Sequence, residues 1–388
     1  MRQYLLVTAN YWAFTLTDGA LRMLVLLHFH QLGYSPLQIA MLFLFYEFFG
    51  VVTNLVGGWL GARIGLNRTM NIGLGLQLLA LLMLALPNTW LSVAWVMAAQ
   101  ALSGIAKDLN KMSAKSAVKL FAGNAENQLF RWVAVLTGSK NTLKGCGFFM
   151  GALLLQLAGF NGAIWLMFTG LMLVWLGSLL LLQQDLGKAK NKPKFREVFS
   201  KSRAINQLSA ARLCLFAARD VWFVVALPIY LHQSFGWDFW QVGGFLALWI
   251  IAYGAVQSLS PWLLGSRSKT DGSAATLWAA VLSLVPLLIA IGLDWQPQLI
   301  LLGGLALFGL VFAINSALHS YLIVDYASVE GVSMDVGFYY MANAGGRLLG
   351  TVLSGVVFQY WGLAACLLIS AGLLMLTTML SIALPRQT

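Results

Sequence analysis

Charge is scarce in this chain, and acidic charge is scarcer still: 13 Asp and Glu stand against 24 Lys and Arg in 388 residues, and charged residues make up 10% of the whole. With 60% hydrophobic residues and a mean hydropathy of +0.78, that scarcity excludes an ordinary soluble domain of this size. Cysteine and histidine are equally sparse. Cys146, Cys214 and Cys366 lie in three separate apolar segments, and the four histidines form no cluster with them. No metal site is therefore expected. The chain has no GxSxG, HExxH or Walker pattern and no polar stretch long enough to house an active site, so neither enzymatic catalysis nor a cofactor is expected.

What the chain has instead is long apolar runs, each near the roughly 20 residues that a membrane-crossing helix needs. Twelve spans are predicted at about 5–31, 36–60, 69–87, 91–112, 132–158, 162–182, 205–232, 238–264, 274–292, 298–325, 333–358 and 362–383. The first run is too long for a signal-peptide core. The loops near residues 33, 88, 160, 236, 295 and 360 hold no Lys or Arg. The alternate loops hold Arg63 and Arg68, then Lys115, Lys119 and Arg131, then the basic stretch 183–204, then Arg267 and Lys269. Basic loops stay on the cytoplasmic side, which places both termini there and the protein in the cell's inner membrane. The segment from Asp325 to Asp335 breaks this pattern, carrying the acids Asp325, Glu330 and Asp335 alone.

The two halves of the chain resemble each other. At an offset of 202, Phe14, Asp18, His30 and Gln31 fall on Phe216, Asp220, His232 and Gln233. One residue further, Gln38 and Trp59 fall on Gln241 and Trp262, and Lys144, Gly147, Gln156 and Gly159 fall on Arg347, Gly350, Gln359 and Gly362. Six spans per half make the repeats parallel. The predicted fold is thus an all-α integral membrane protein of twelve transmembrane helices in two parallel six-helix pseudo-repeats, an arrangement that resembles the major facilitator transporters. The predicted domains are a six-helix bundle over 1–182, a basic cytoplasmic linker over 183–204 that also suits anionic headgroups, and a second six-helix bundle over 205–388. The loop after the second span resembles the cytoplasmic gate motif of those transporters through Gly58, Arg63, Gly65 and Arg68 in GWLGARIGLNR, with Ala62 in place of the motif's acid.

Charge within the spans is the chemical clue, because it is costly there and marks function. Arg22, Lys140, Lys144, Arg212, Arg219 and Arg347 lie deep, and only Asp18, Glu47 and Asp220 share their depth. With every acid paired, three positive charges remain, and uncompensated charge in low dielectric calls for water or a bound anion. A cationic cavity and an anionic substrate follow. Asp18 and Arg22 are one turn apart, as are Lys140 and Lys144 and also Asn343 and Arg347. Arginine forks match phosphate or arsenate oxygens in pairs, and lysine acts as a point charge. The candidate substrate-binding residues are Arg22, Lys140, Asn141, Lys144, Arg219, Asn343 and Arg347. Asp18, Glu47, Lys107, Asp108 and Asp220 are candidates for charge pairing or proton coupling. The competing assignment makes Arg22, Lys144, Arg219 and Arg347 structural partners of Asp18, Glu47 and Asp220. Lys111, Lys115 and Lys119 read as snorkelling anchors at the inner end of the fourth span. His28, His30 and His319 read as packed or interfacial residues, and Gly145, Gly147 and Gly151 as sites of close helix packing.

Four segments, VTANYWAFTLTDGALRMLVLLHFHQLGYSP, LSGIAKDLNKMSAKSAVK, LTGSKNTLKG and ARDVWFVVALP, resemble the organoarsenical efflux permeases of the ArsJ type within the major facilitator superfamily. They span both halves. The resemblance implies export of 1-arseno-3-phosphoglycerate, which a partner glyceraldehyde-3-phosphate dehydrogenase makes from arsenate and the glycolytic triose, and hence arsenate resistance. No nucleic acid is implied; the other partner is the lipid bilayer. The alternatives are an organophosphate or sugar-phosphate/phosphate antiporter and a non-transport membrane assembly factor of the same fold.

Overall fold

The computed structural model describes residues 2–33, 42–122, 126–182, 186–189, 194, 202–237, 239–264, 270–329 and 331–386. Among them the chain is all helix, with no strand. Its helices are α1 (Arg2–Gln31), α2 (Leu44–Ile64), α3 (Leu66–Leu84), α4 (Val93–Ala122), α5 (Glu126–Leu181), α6 (Arg203–Phe223), α7 (Ala226–Phe235), α8 (Phe239–Leu264), α9 (Gly272–Gly292), α10 (Pro297–Tyr326) and α11 (Val332–Ile382). Within these, six stretches are long and apolar enough to cross a membrane by length and composition: Gln128–Leu181, Arg203–Phe235, Gln241–Leu264, Gly272–Gly292, Pro297–Tyr326 and Val332–Ile382. Four helices precede them among the described residues, and α2 holds a shorter apolar stretch, Phe48–Ile64. The shortest of the four, α3, has 19 residues, about 28 Å of helix.

Two of the six stretches hold two arms each. α5 bends at Gly159, with φ 66° and ψ 179°, and α11 at Gly362, with φ 75° and ψ −173°. These left-handed positions favour glycine, and they sit at the repeat offset of 203. With α5 and α11 each counted as two arms, and α6 with α7 as one, the described residues form twelve helical arms, as the sequence predicts. Asp271 caps α9 by accepting from the Ser273 and Ala274 amides at 2.9 and 3.3 Å, and Ser202 caps α6 by accepting from Ile205 at 3.3 Å.

Three local expectations change. The loop predicted between the second and third spans shrinks to Gly65, whose φ of 101° lets α2 end and α3 begin at once. Arg63 and Arg68 therefore lie on helices, and the backbone beside them is tied to residues 186–189 by Leu66 N to Leu186 O at 2.7 Å and Ala189 N to Ala62 O at 2.8 Å. The fourth span runs to Ala122, so Lys115 and Lys119 are helical residues too. The seventh span is broken: α6 stops at Phe223 and α7 starts at Ala226. Pro228 explains the break, since it has no N–H to offer the carbonyl four residues back. The amides of Val225 and Ala226 turn instead to the Ser354 hydroxyl, at 3.4 and 3.1 Å. In the first half Leu26 occupies the place of Pro228, and α1 is continuous.

The chain divides into two compact units. Unit 1 comprises Met1–Ala125, Ser139–Ser200 and Ala327–Met341; unit 2 comprises Glu126–Gly138, Lys201–Tyr326 and Ala342–Thr388. One crossing recurs inside each. In unit 1, a Cβ on Gly147 would stand 2.6 Å from the Leu16 carbonyl oxygen and 3.0 Å from Gly19 Cα; in unit 2, one on Gly350 would stand 2.7 Å from the Ala217 oxygen and 2.9 Å from Asp220 Cβ. Gly151 packs as tightly on Ala20. Glycine is what lets these backbones approach so closely. Each crossing brings the helix that bears Lys144 or Arg347 against the one that bears Asp18 or Asp220. One acid of the acidic segment has a local partner in unit 1: Asp335, in the first turn of α11, accepts from the Ser328 amide at 3.2 Å and its hydroxyl at 3.4 Å.

Candidate functional site

In unit 1 the charges gather around Tyr46, which is fully buried. Its hydroxyl donates to the two oxygens of Asp18, at 2.8 and 2.9 Å. Its ring lies 4.3 Å from the Arg22 guanidinium carbon and 3.8 Å from Lys107 Nζ, within the range of cation–π attraction. α4 is held close here because Gly104 sits on the Tyr46 backbone, where a Cβ would meet the carbonyl oxygen at 2.6 Å. One turn along α4, Asp108 pairs with Lys111 at 2.5 Å and lies 4.0 Å from Lys107. Lys111 and Lys115 then stand 4.9 and 5.1 Å from the Tyr340 ring. Arg22, Lys107, Lys111 and Lys115 thus share a neighbourhood with two carboxylates, Asp18 and Asp108.

In unit 2 the charges gather around Asp220, which is fully buried. Arg219 reaches one of its oxygens at 2.6 Å, and Arg347 reaches the other at 3.3 Å. The contacts differ in kind: the Arg219 side chain is 16% exposed and stacks 4.7 Å from the Phe216 ring, whereas the Arg347 side chain is 35% exposed. Further along α6, Arg212 is buried and bonds to Asn343 and Ser316. Its Nε donates to Asn343 Oδ1 at 2.8 Å, and its Nη1 donates to the Ser316 hydroxyl and carbonyl at 3.1 and 3.3 Å. Gln257 donates to the same hydroxyl at 3.1 Å.

The sequence-predicted residues divide accordingly. Asp18 and Arg22 meet at Tyr46, Lys107 meets Asp108, Arg219 and Arg347 meet at Asp220, and Asn343 meets Arg212. Lys140, Asn141 and Lys144 are half-buried on α5. Lys144 Nζ is 5.9 Å from the Phe148 ring, and the Lys144 backbone lies where a Cβ on Gly19 would touch it at 2.7 Å, one residue from Asp18. Glu47 lies on α2, with its side chain outside the described residues, as are Gln38, Arg267, Lys269 and Glu330. Of the gate residues, Gly58 packs on Ser333 and Gly337, and Arg63 lies 5.0 Å from the Trp59 ring. The snorkelling assignment is overturned for Lys111 and Lys115, which are 8% and 3% exposed: their helix is covered there, so their charges meet Asp108 and Tyr340 instead of water. Tyr46, Tyr340, Ser316 and Gln257 carry no charge and match no motif, and nothing in their sequence surroundings marks them. Among the described residues no three His, Cys, Asp or Glu side chains are grouped to hold a metal ion.

Comparison with known proteins places the fold. The sequence pattern of the Major Facilitator Superfamily matches residues 4–280. The chain belongs to this superfamily. No curated protein matches its sequence. Among solved structures, the human organic anion transporter MFSD10 (TETRAN) is similar with a TM-score of 0.79 at 18% identity, covering 98% of this chain and 99% of that one. A bacterial homologue of the iron transporter ferroportin, in an outward-facing state, gives 0.76 at 14% identity over 98% and 99%. The Escherichia coli fucose:proton symporter FucP gives 0.72 at 15% over 98% of each chain. At these identities the likeness speaks for the fold alone. As a major facilitator protein, the chain is a multi-pass membrane transporter of a small-molecule substrate across the lipid bilayer.

Proposed function

We propose that this transporter exports an anionic organoarsenical metabolite, of the type of 1-arseno-3-phosphoglycerate, across the cell's inner membrane by alternating access, with both termini cytoplasmic. The observation that carries the proposal is the gathering of cations in each unit among the described residues: Arg22 and Lys107 around Tyr46 with Lys111 and Lys115 around Tyr340, and Arg219 and Arg347 on Asp220 with Arg212 further along α6. Cations brought together out of water are held best when an anion joins them. The proposed ligand bears an oxyanion ester and a phosphate, and a cluster of cations suits either group. The resemblance of the four sequence segments to organoarsenical permeases supplies the arsenical.

Arg22, Lys140, Asn141, Lys144, Arg219, Asn343 and Arg347 are the proposed contacts. Arg347 is the first to engage, because its 3.3 Å contact with Asp220 and its 35% exposure leave it the looser of the two partners; Arg219 stays to hold the carboxylate. The division into a bundle over 1–182, a linker over 183–204 and a bundle over 205–388 belongs to the same proposal.

The test is arsenate resistance in a sensitive host that expresses the transporter with and without a glyceraldehyde-3-phosphate dehydrogenase able to use arsenate. Resistance only when both are present is the expected outcome. Resistance without the dehydrogenase, or none in either case, overturns the proposed substrate. Exchange of labelled phosphate in proteoliposomes would point to an organophosphate/phosphate antiporter instead.

A further inference from the structure

The polar face of α10 has groups that nothing so far uses. Asn315 and His319 are both 0% exposed. Among the described residues, neither the amide nitrogen nor the amide oxygen of Asn315 has a hydrogen-bond partner, and neither ring nitrogen of His319 has one. The Ser320 hydroxyl, next to His319, and the Ser209 hydroxyl, one turn before Arg212 on α6, are buried in the same condition. Such atoms recur elsewhere among the described residues, at Gln77 and Gln100 for example; buried polar atoms of native proteins are overwhelmingly paired, so each exception calls for a partner.

Their place is specific. Asn315 and His319 are four residues apart and share a face of α10, and Ser316 belongs to the same turn. Ser316 is the residue that holds Arg212, through both its hydroxyl and its carbonyl, and His319 lies three residues further along the same helix. A guanidinium bonded to Ser316, an imidazole and a carboxamide are therefore gathered along one buried turn of α10 within unit 2. Each side chain narrows the ligand. The Asn315 amide offers both a donor and an acceptor, and so does a neutral His319 ring. A bare oxyanion could use the donors but would leave the acceptors unsatisfied. A hydroxyl serves both, because it donates and accepts. Arg212 supplies the positive charge for an adjacent oxyanion.

We propose that Asn315, His319 and Arg212 form a subsite for a hydroxyl-bearing anion, in which Asn315 and His319 hold the hydroxyl and Arg212 faces the neighbouring oxyanion. The subsite deepens the export proposal and rests on it, since it specifies the part of the substrate between the two charged ends. It also changes the sequence expectation for His319, from a packed residue to a ligand contact.

The test uses the purified full-length transporter and two stable probes: 3-phosphoglycerate, and 3-phosphonooxypropanoate, which lacks only the hydroxyl. Affinities are measured for the wild type and for Asn315→Leu, His319→Phe and His319→Gln. The expected result is that the wild type prefers the hydroxylated probe by about tenfold or more. Asn315→Leu and His319→Phe abolish that preference without changing affinity for the probe that lacks the hydroxyl. His319→Gln, which keeps a donor and an acceptor, retains part of it. Thermal unfolding separates binding from folding: apolar replacements of unpartnered polar groups leave the melting temperature unchanged or raise it. Equal affinity for both probes, or a preference that survives both apolar variants, overturns the subsite and leaves anion export standing. Binding of neither probe by the wild type overturns the export proposal and the subsite with it.

Discussion

The Tyr46 hydroxyl meets both carboxylate oxygens of Asp18, at 2.8 and 2.9 Å, from a residue that is itself fully buried. One neutral side chain thereby anchors the acid of α1 and offers its ring to Arg22 and Lys107. Tyr46→Phe keeps the ring and removes the hydrogen bond. It should lower stability by about 1.5–3 kcal/mol, the scale of a hydrogen bond to a charged group. Tyr46→Leu should cost more, because about 0.5–2 kcal/mol of cation–π attraction goes as well. Thermal unfolding in detergent measures both; a Phe variant as stable as the wild type would show that Asp18 does not depend on Tyr46.

Asp220 joins two arginines from two helices. Asp220→Asn leaves Arg219 without its 2.6 Å partner, in a setting where breaking a buried pair costs about 3–5 kcal/mol. Adding Arg219→Gln should restore part of the loss by removing the stranded charge. Arg347→Gln alone should be milder for stability, since that side chain is 35% exposed, yet should weaken export of the anion. If Arg347→Gln and Arg219→Gln prove alike in both stability and export, the two arginines do not differ in role.

The broken seventh span depends on Ser354. Ser354→Ala takes the acceptor from the Val225 and Ala226 amides, at a cost of about 1–3 kcal/mol for donors left unsatisfied. Pro228→Ala in that background gives the helix back its missing N–H and should recover stability. Hydrogen exchange at residues 224–226 reports the repair directly. No recovery in the double variant would rule out Pro228 as the cause of the break.

Export of a multivalent anion from a negative cytoplasm is favoured by about 2.3 kcal/mol per charge per 100 mV. Transport should therefore rise with membrane potential, without any need for protonation of Asp18, Asp220 or Glu47. Everted vesicles with an imposed potential test this. Uptake that is unchanged when the potential collapses, and that follows a pH gradient instead, would replace uniport with proton exchange.

How much of this was legible beforehand depends on the range of the physics involved. The apolar runs, the repeat that sets Asp18 against Asp220 and Lys144 against Arg347, the bends at Gly159 and Gly362, and the excess of deep cations are all local in the chain or periodic along it. They could be read because burial in lipid demands continuous apolar helix, and because a positive φ points to glycine. Pro228 was equally visible, but its consequence was not, because a proline breaks a helix more readily where another group, here Ser354, accepts from the amides at the break. Partner choice lay further from reach. That Tyr46 holds Asp18, that one carboxylate serves both Arg219 and Arg347, and that Lys111 and Lys115 are buried against Tyr340 depends on which helix faces which at a given turn. The sequence by itself determined the membrane-spanning helices and their repeat. Only the tertiary structure decided which charges neutralise one another, because electrostatic pairing falls off within a few ångströms and residues from separate helices come that close only once those helices have packed.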